Sequence, residues 1–511
     1  MKFYTLYVSS CSATFELENN LVYYSDKSYD VKLNGEVVLK DVKTNVFTIY
    51  NLKPDCKYEV SIGEDKLSII TKKVSVILRA SMFKNESNTQ DDTLMLQSAI
   101  ACLPKDGMLV IDGIYKVTSL FLKSDMTLVI EKGSALLGNI EAKEYPVMPG
   151  EVERLDSPLK MQCALWEGNP FNGKSSIINA FHVNNVDIVG EGIVDGRAQE
   201  SIFWVNHKNH PWGRPRILFF NDSTNINVVG ITVQNTGCWT VHPYFCENVG
   251  FYSMNIINPK ISPNTDGMDP EGCKNLKIIG LNISVGDDCI ALKSGKIYIG
   301  STYKRPCENV QIRNCFMHDG HGAIVIGSEI GAGVKNVSLE RCLFENTDRG
   351  LRIKTRRGRG KDSVVDNVVF SNIVMDGVLA PLVINMFYFC DPDGHDEYVQ
   401  TREKLPVDER TPYIGHFLFE NIKAYNAEYA LGWFFGLPEA PIAGVEIRDS
   451  EFTVKENAGS GFPAMMDGID KQSKTGFYFE NVKSVKISNV KASGYVGNEY
   501  VLNNVESFEE K

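Results

Sequence analysis

An all-β chain is what the residues predict: a right-handed parallel β-helix preceded by a small β-sandwich. Three observations carry this. A short apolar unit headed by asparagine recurs from about residue 108 to the C-terminus. Helical periodicity is confined to a single stretch near residue 95. Residues 1–72 have a different style, with short alternating strands broken by turn residues.

The first of these strands is expected in MKFYTLYVSSCSA, where Tyr4, Leu6 and Val8 alternate. VSSC at Cys11 has the look of a lipoprotein cleavage box, but the apolar part is short and interrupted by Ser and Thr, so the strand reading is preferred. YDVKLNGEVVL and VFTIYNLKPDCKYEVSI follow with the same alternation. The piece LKPDCKYEVSI resembles the late strands of a fibronectin type III domain, so 1–72 is expected to be such a sandwich and 73–511 the β-helix domain. The sandwich carries no catalytic constellation and reads as a spacer, a cap or a contact module.

After Lys72-Lys73, TQDDTLMLQSAIACLPKDG places Leu94, Leu96, Ile100 and Leu103 at helical spacing, with Thr89 or Asp91 as cap. The repeats follow: NVDIVGEGIV from Asn185, NINVVGITV from Asn225, NVGFYSMNI from Asn248, NLKIIGLNI from Asn275, NVQIRNCFM from Asn309, NVSLERCLF from Asn336 and NVVFSNIVM from Asn367. Their uneven spacing fits a solenoid with loop insertions better than a propeller. Rungs about 4.8 Å apart then stack like residues in ladders. Cys246, Cys273, Cys307, Cys315 and Cys342 keep fixed offsets from the repeat asparagines and belong to such ladders.

Composition narrows the function classes. A net charge of −11 argues against nucleic-acid binding. No apolar run reaches the length of a membrane helix. Twelve cysteines dispersed over 511 residues, without CxxC pairs or zinc-ligand spacing, suggest reduced thiols, no metal and a cytosolic location.

The repeat also serves as a ruler. Asp287 lies twelve residues after Asn275, and His321 twelve after Asn309. Asp266 lies eighteen after Asn248 across an insertion, PKISP, while Arg352 and Lys354 lie sixteen and eighteen after Asn336. These groups should gather on one side of successive rungs. Strict strand alternation would send Asp287 and Asp288 to opposite faces, so a bend is expected there. Three acids suit glycosidic hydrolysis, one donating a proton and the others activating water, with like-charge repulsion keeping a proton on the site. Separations of about 6.5–9.5 Å would leave room for water and invert the anomeric centre.

NTD (264–266), GDD (286–288), GHG (320–322) and RIK (352–354) together resemble the polygalacturonase family of glycoside hydrolases, family 28, from about residue 74 through most of the C-terminal part. The resemblance implies a β-helix acting without a cofactor on oligo- or polygalacturonate. It further implies that Asp287 is the general acid, that Asp266 and Asp288 position and activate water, and that His321 supports the acid. Asn264, Arg352, Lys354 and Tyr388 would then contact the substrate. The full RIK pattern favours homogalacturonan over backbones containing rhamnose. The insertions at 139–176 and 198–215, with WVNHKNHPWGRPR in the second, and the N-terminal domain are reminiscent of exo-acting members. His242 is a further candidate for holding a terminal uronate, and the basic strip Arg352 through Lys361 suits a polyanionic sugar chain, with a solvated loop the alternative for Arg356, Arg357 and Arg359. The alternatives are an endo-polygalacturonase or another pectin-backbone hydrolase and, more distantly, a calcium-dependent pectate lyase or a non-catalytic carbohydrate-binding β-helix.

Overall fold

The computed structural model describes residues 1–84, 91–205 and 213–511. Seven strands open the chain: β1 (Phe3–Val8), β2 (Ala13–Leu17), β3 (Tyr24–Leu33), β4 (Glu36–Thr44), β5 (Val46–Ile49), β6 (Lys57–Ile62) and β7 (Asp65–Ile70). They pair antiparallel into two sheets, β1-β2-β5 and β4-β3-β6-β7, around Phe15, Val31, Phe47, Val60 and Ile62. Alternation explains the arrangement, since every second side chain of a strand faces one side.

From Ile77 to Glu510 the chain winds into a parallel β-helix whose walls join in a 28-stranded sheet. The interior is a stack of like residues in register: Ile188, Val228, Phe251, Ile278, Ile312, Leu339, Phe370, Phe419, Ile447 and Ile487 follow one another from rung to rung. All ten are buried. Cys246, Cys273, Cys307, Cys315 and Cys342 are buried free thiols in the same interior, as their offsets implied.

The repeat asparagine has a backbone reason. Asn185, Asn225, Asn248, Asn275, Asn309, Asn336 and Asn367 all have φ between 54° and 58°. Asparagine tolerates this left-handed conformation better than other residues with a side chain. Its amide also hydrogen-bonds the next rung: Asn275 donates to Asn248, Asn309 to Asn275, Asn336 to Asn309 and Asn367 to Asn336, at 2.8–3.1 Å.

The helix occupies Thr93–Cys102 and buries Leu96, Ala99 and Ile100 against the first coil. Leu94, expected on the apolar face, is exposed. Asp92 stands at the cap position and Asp91 accepts the Thr93 amide at 2.7 Å; Thr89 lies outside the described residues. Two short helices absent from the sequence reading, Ile297–Tyr303 and Glu397–Gln400, sit in loops.

The sandwich is locked to the flank of the solenoid. Tyr7 stacks on Tyr252 at 5.5 Å, and Val46 packs among Val189, Val229 and Ile279. Glu16, fully buried, accepts from Arg313 at 2.8 Å, Asn314 at 2.8 Å and Arg341 at 2.6 Å.

Candidate active site

One wall of the solenoid carries the polar cluster. Val241 bridges Met268, Met268 bridges Ile290, and Ile290 continues through Ile324 and Leu351 to Leu382. Asp266 lies two residues before Met268, and Asp288 two before Ile290, so both occupy the same phase on adjacent rungs. The PKISP insertion absorbs the difference in count. Gly286 and Asp287 form a bend, and the strand Asp288–Leu292 begins directly after it. That bend gathers the two neighbouring carboxylates: one oxygen each of Asp266, Asp287 and Asp288 lie within 4.8 Å of one another. The flanking glycines let this turn pack against neighbouring backbone. A Cβ on Gly286 would sit 2.3 Å from the Ser262 carbonyl, and one on Gly320 would sit 2.7 Å from the Asp287 carbonyl.

His321 stacks on Asp287 one rung later, its amide donating to the Asp287 carbonyl at 2.9 Å and its Nδ1 lying 3.3 Å from Oδ1. This hydrogen bond outweighs burial and raises the imidazole above its ordinary range. Lys354 Nζ donates to Asp288 Oδ2 at 2.6 Å, and Arg352 Nη1 lies 3.5 Å from Oδ1. Burial alone would push Asp288 up, but the two cations hold it at about 2. No side-chain hydrogen bond or ion pair from the described residues reaches the Asp266 carboxyl. Burial, then Asp269 and Asp287, push its carboxyl well above the usual range. The oxygen spacing of the three acids would suit a divalent cation, yet at Asp288 the compensating charges come from Lys354 and Arg352.

Behind Asp266 runs a second layer of buried charge. Lys293 Nζ lies 3.3 Å from Asp269, 3.0 Å from Glu329 and 4.3 Å from the Trp239 ring centre. His242 belongs to this layer: it is buried, 3.0 Å from Glu271 Oε2, and lines neither cavity at the site. A role at a terminal uronate is therefore withdrawn.

The acids open into two adjoining cavities. The larger, about 890 Å³, is lined by Asp287, His321, Asp348, Arg349, Arg352 and Lys354, with Tyr388, His395 and Met465 from loops. The smaller, about 110 Å³, is lined by Asp266, Asp288, Trp239, Lys293 and Glu329. Asn264, Glu167, Asp287, Lys354, Tyr388 and Asp391 border both. Asn264, Asp266, Asp287, Asp288, His321, Arg352, Lys354 and Tyr388 thus lie in one cluster, whereas His242 does not. Asn264 is held from behind, its Oδ1 accepting from Arg214 Nη2 at 3.0 Å.

Asp348 was legible but missed, for it lies twelve residues after Asn336, in phase with Asp287 and His321. Glu167, His395 and Met465 come from insertions that no repeat could register. Of the two insertions singled out in the sequence, 139–176 contributes Trp166 and Glu167; 206–212 of the second lie outside the described residues. Arg356, Arg357 and Arg359 are buried, not solvated. Arg356 and Arg359 pair with Asp391, and Arg357 with Glu439 and the carbonyls of Tyr398, Val399, Thr401 and Glu403. They clamp the 386–412 segment that bears Tyr388 and His395 rather than facing a ligand.

The family model for glycosyl hydrolases family 28 matches residues 123–398, more than half of the chain. The chain belongs to that family. An endo-polygalacturonase of Pectobacterium carotovorum subsp. carotovorum is 31% identical over 53% of this family 28 chain and 64% of its own length. An exo-poly-alpha-D-galacturonosidase of Dickeya chrysanthemi is 24% identical over 74% of this chain and 67% of its own. The chain spans about half to two thirds of the length of the curated relatives it matches. In fold, the family 28 exopolygalacturonase of Yersinia enterocolitica superposes with a TM-score of 0.75 at 19% identity, covering 100% of this chain and 98% of that one.

Proposed function

We propose that this family 28 protein hydrolyses α-1,4-galacturonosyl linkages of oligo- or polygalacturonate, releasing units from a chain end. The observation that carries the reading is the joint between the two cavities, where three carboxylates meet Lys354, Arg352 and His321. Asp287 faces the larger cavity together with His321 and donates the proton to the leaving oxygen. Asp266 and Asp288, both in the smaller cavity, orient the water that attacks the anomeric carbon. As Asp287 gives its proton to the leaving oxygen, the attacking water gives one to the Asp266–Asp288 pair. Arg352 and Lys354 face the junction and hold a uronate carboxylate, the guanidinium as a fork and the ammonium as a point charge. Asn264 and Tyr388 flank the ring that spans the junction.

Two acids on the water side suit a single displacement with inversion. Proton NMR of the first product formed reads the anomer directly. The small cavity supports exo action, since it has no room for a chain. The seven-strand N-terminal unit, read as fibronectin type III-like, acts as a rigid buttress on the flank. Digestion of a defined oligogalacturonide tests the whole reading. Monomer or dimer as sole early product is expected, a ladder of lengths would reassign the protein as endo-acting, and no new reducing ends would reject hydrolysis.

A further inference from the structure

The smaller cavity is the more acidic of the two. The larger cavity sets Arg349, Arg352 and Lys354, with His321 and His395, against Glu167, Asp287, Asp348 and Asp391. The smaller has Lys293 and Lys354 against Glu167, Asp266, Asp287, Asp288, Glu329 and Asp391. An acidic wall repels a second uronate carboxylate and accepts hydrogen bonds from neutral hydroxyls.

Geometry sets which end of a sugar chain meets it. Water held by Asp266 and Asp288 attacks the anomeric carbon of the ring beside them, so that ring is the glycone, on the non-reducing side. The leaving part extends past Asp287 and His321 into the larger cavity. A terminal glycone differs from an internal ring by its free 4-hydroxyl.

Glu167 is built to meet that hydroxyl. It and Gly168 form the two-residue turn of a hairpin, joining Leu165–Trp166 to Asn169–Pro170, with φ of 46° and 69°. Such a turn favours Asn or Gly at its first position, so a glutamate there is held against its preference. The hairpin is fixed: Trp166 stacks on Trp239 at 5.6 Å, and Gly168 accepts the Lys296 amide at 3.1 Å. The Glu167 side chain is 46% exposed and lines both cavities, no hydrogen bond from the described residues reaches the carboxylate, and Lys296, the cation paired with it among those residues, is 3.9 Å away and closer to Asp391. Burial and nearby Glu329 raise its pKa. Glu329, in contrast, is satisfied by Ser328 and Lys293.

We infer that Glu167 is a specificity-determining residue that accepts the free 4-hydroxyl of a non-reducing terminal galacturonate, which restricts the enzyme to saturated chain ends. This rests on the exo-hydrolase reading above. Saturated ends are products of hydrolysis; eliminative cleavage leaves a 4,5-unsaturated ring without that hydroxyl.

The test compares trigalacturonate with its counterpart bearing a 4,5-unsaturated non-reducing ring, using the full chain. The wild type should prefer the saturated trimer. Glu167→Ala should lower kcat/KM on it by about 10–100-fold, leaving the unsaturated trimer within about twofold. Glu167→Gln, which keeps an acceptor oxygen, should recover part of the loss. Where turnover of the unsaturated trimer is too slow, its inhibition constant against saturated substrate gives the same comparison. Equal losses on both trimers, or none on either, would overturn the assignment of Glu167 while leaving the hydrolase intact. A folded wild type that cleaves neither trimer would instead overturn the hydrolase reading, and this inference with it.

Discussion

Two buried carboxylates, Glu16 and Asp266, show how the molecule separates scaffold from chemistry. Glu16, between sandwich and solenoid, is bound by Arg313, Asn314 and Arg341 and by the Tyr4 hydroxyl. Although burial opposes it, these partners lower its pKa below the ordinary glutamate value. Asp266 is as well shielded, but no side-chain hydrogen bond from the described residues reaches its carboxylate, and its acidic neighbours push its pKa up. A satisfied charge fixes position; an unsatisfied one is left ready to exchange a proton. The difference lies in the partners, since burial is common to both.

The sharpest break in that contrast comes from Asp287→Asn. It should reduce hydrolysis of oligogalacturonate by about 10²–10⁴-fold, as expected for loss of a general acid, with an unchanged melting profile. Retained turnover by a folded variant would remove Asp287 from the acid role.

On the scaffold side, Glu16→Gln should leave Arg313 and Arg341 facing an uncharged partner in a buried site. A loss of about 3–5 kcal/mol in unfolding free energy is expected, read by denaturant melts, with kcat little changed in the folded fraction. Because the folded pKa of Glu16 is depressed, its contribution is present above the ordinary glutamate range and vanishes as pH falls through the folded value. A marked fall in kcat without destabilisation would show the interface to be coupled to the site.

The pH profile probes the junction. Removing the charge with Lys354→Met frees the Asp288 carboxyl to rise from about 2, so the acidic limb of kcat/KM should move to higher pH. His321 has a raised pKa through Asp287, so support from the protonated ring is lost as pH rises through that value. His321→Asn should flatten the alkaline limb.

The smallest expected effect is that of a chelator. With Lys354 and Arg352 in place, EDTA should leave the rate unchanged and no unsaturated product should absorb in the ultraviolet. Loss of activity together with such absorbance would favour the calcium-dependent lyase.

Phase was the legible part of this site. Asp287 and His321 stack because their counts from Asn275 and Asn309 agree, and Asp348 obeys the same count. Arg356, Arg357 and Arg359 fit neither the sugar-facing strip nor the solvated loop expected of them, because a basic string has the same composition on a surface as under an insertion. Only the positions of Asp391 and Glu439 decide between the two.

The sequence by itself determined the solenoid and the wall that bears its acids, since a repeat of asparagine turns and apolar strands can bury its residues only by stacking. Tertiary structure alone decided the shape of the site. Insertions from residues 139–176, 386–412 and 455–474 close over that wall, and their contacts span distances along the chain that no local pattern records. Glu167 reaches the cavity because Trp166 meets Trp239, seventy-three positions later.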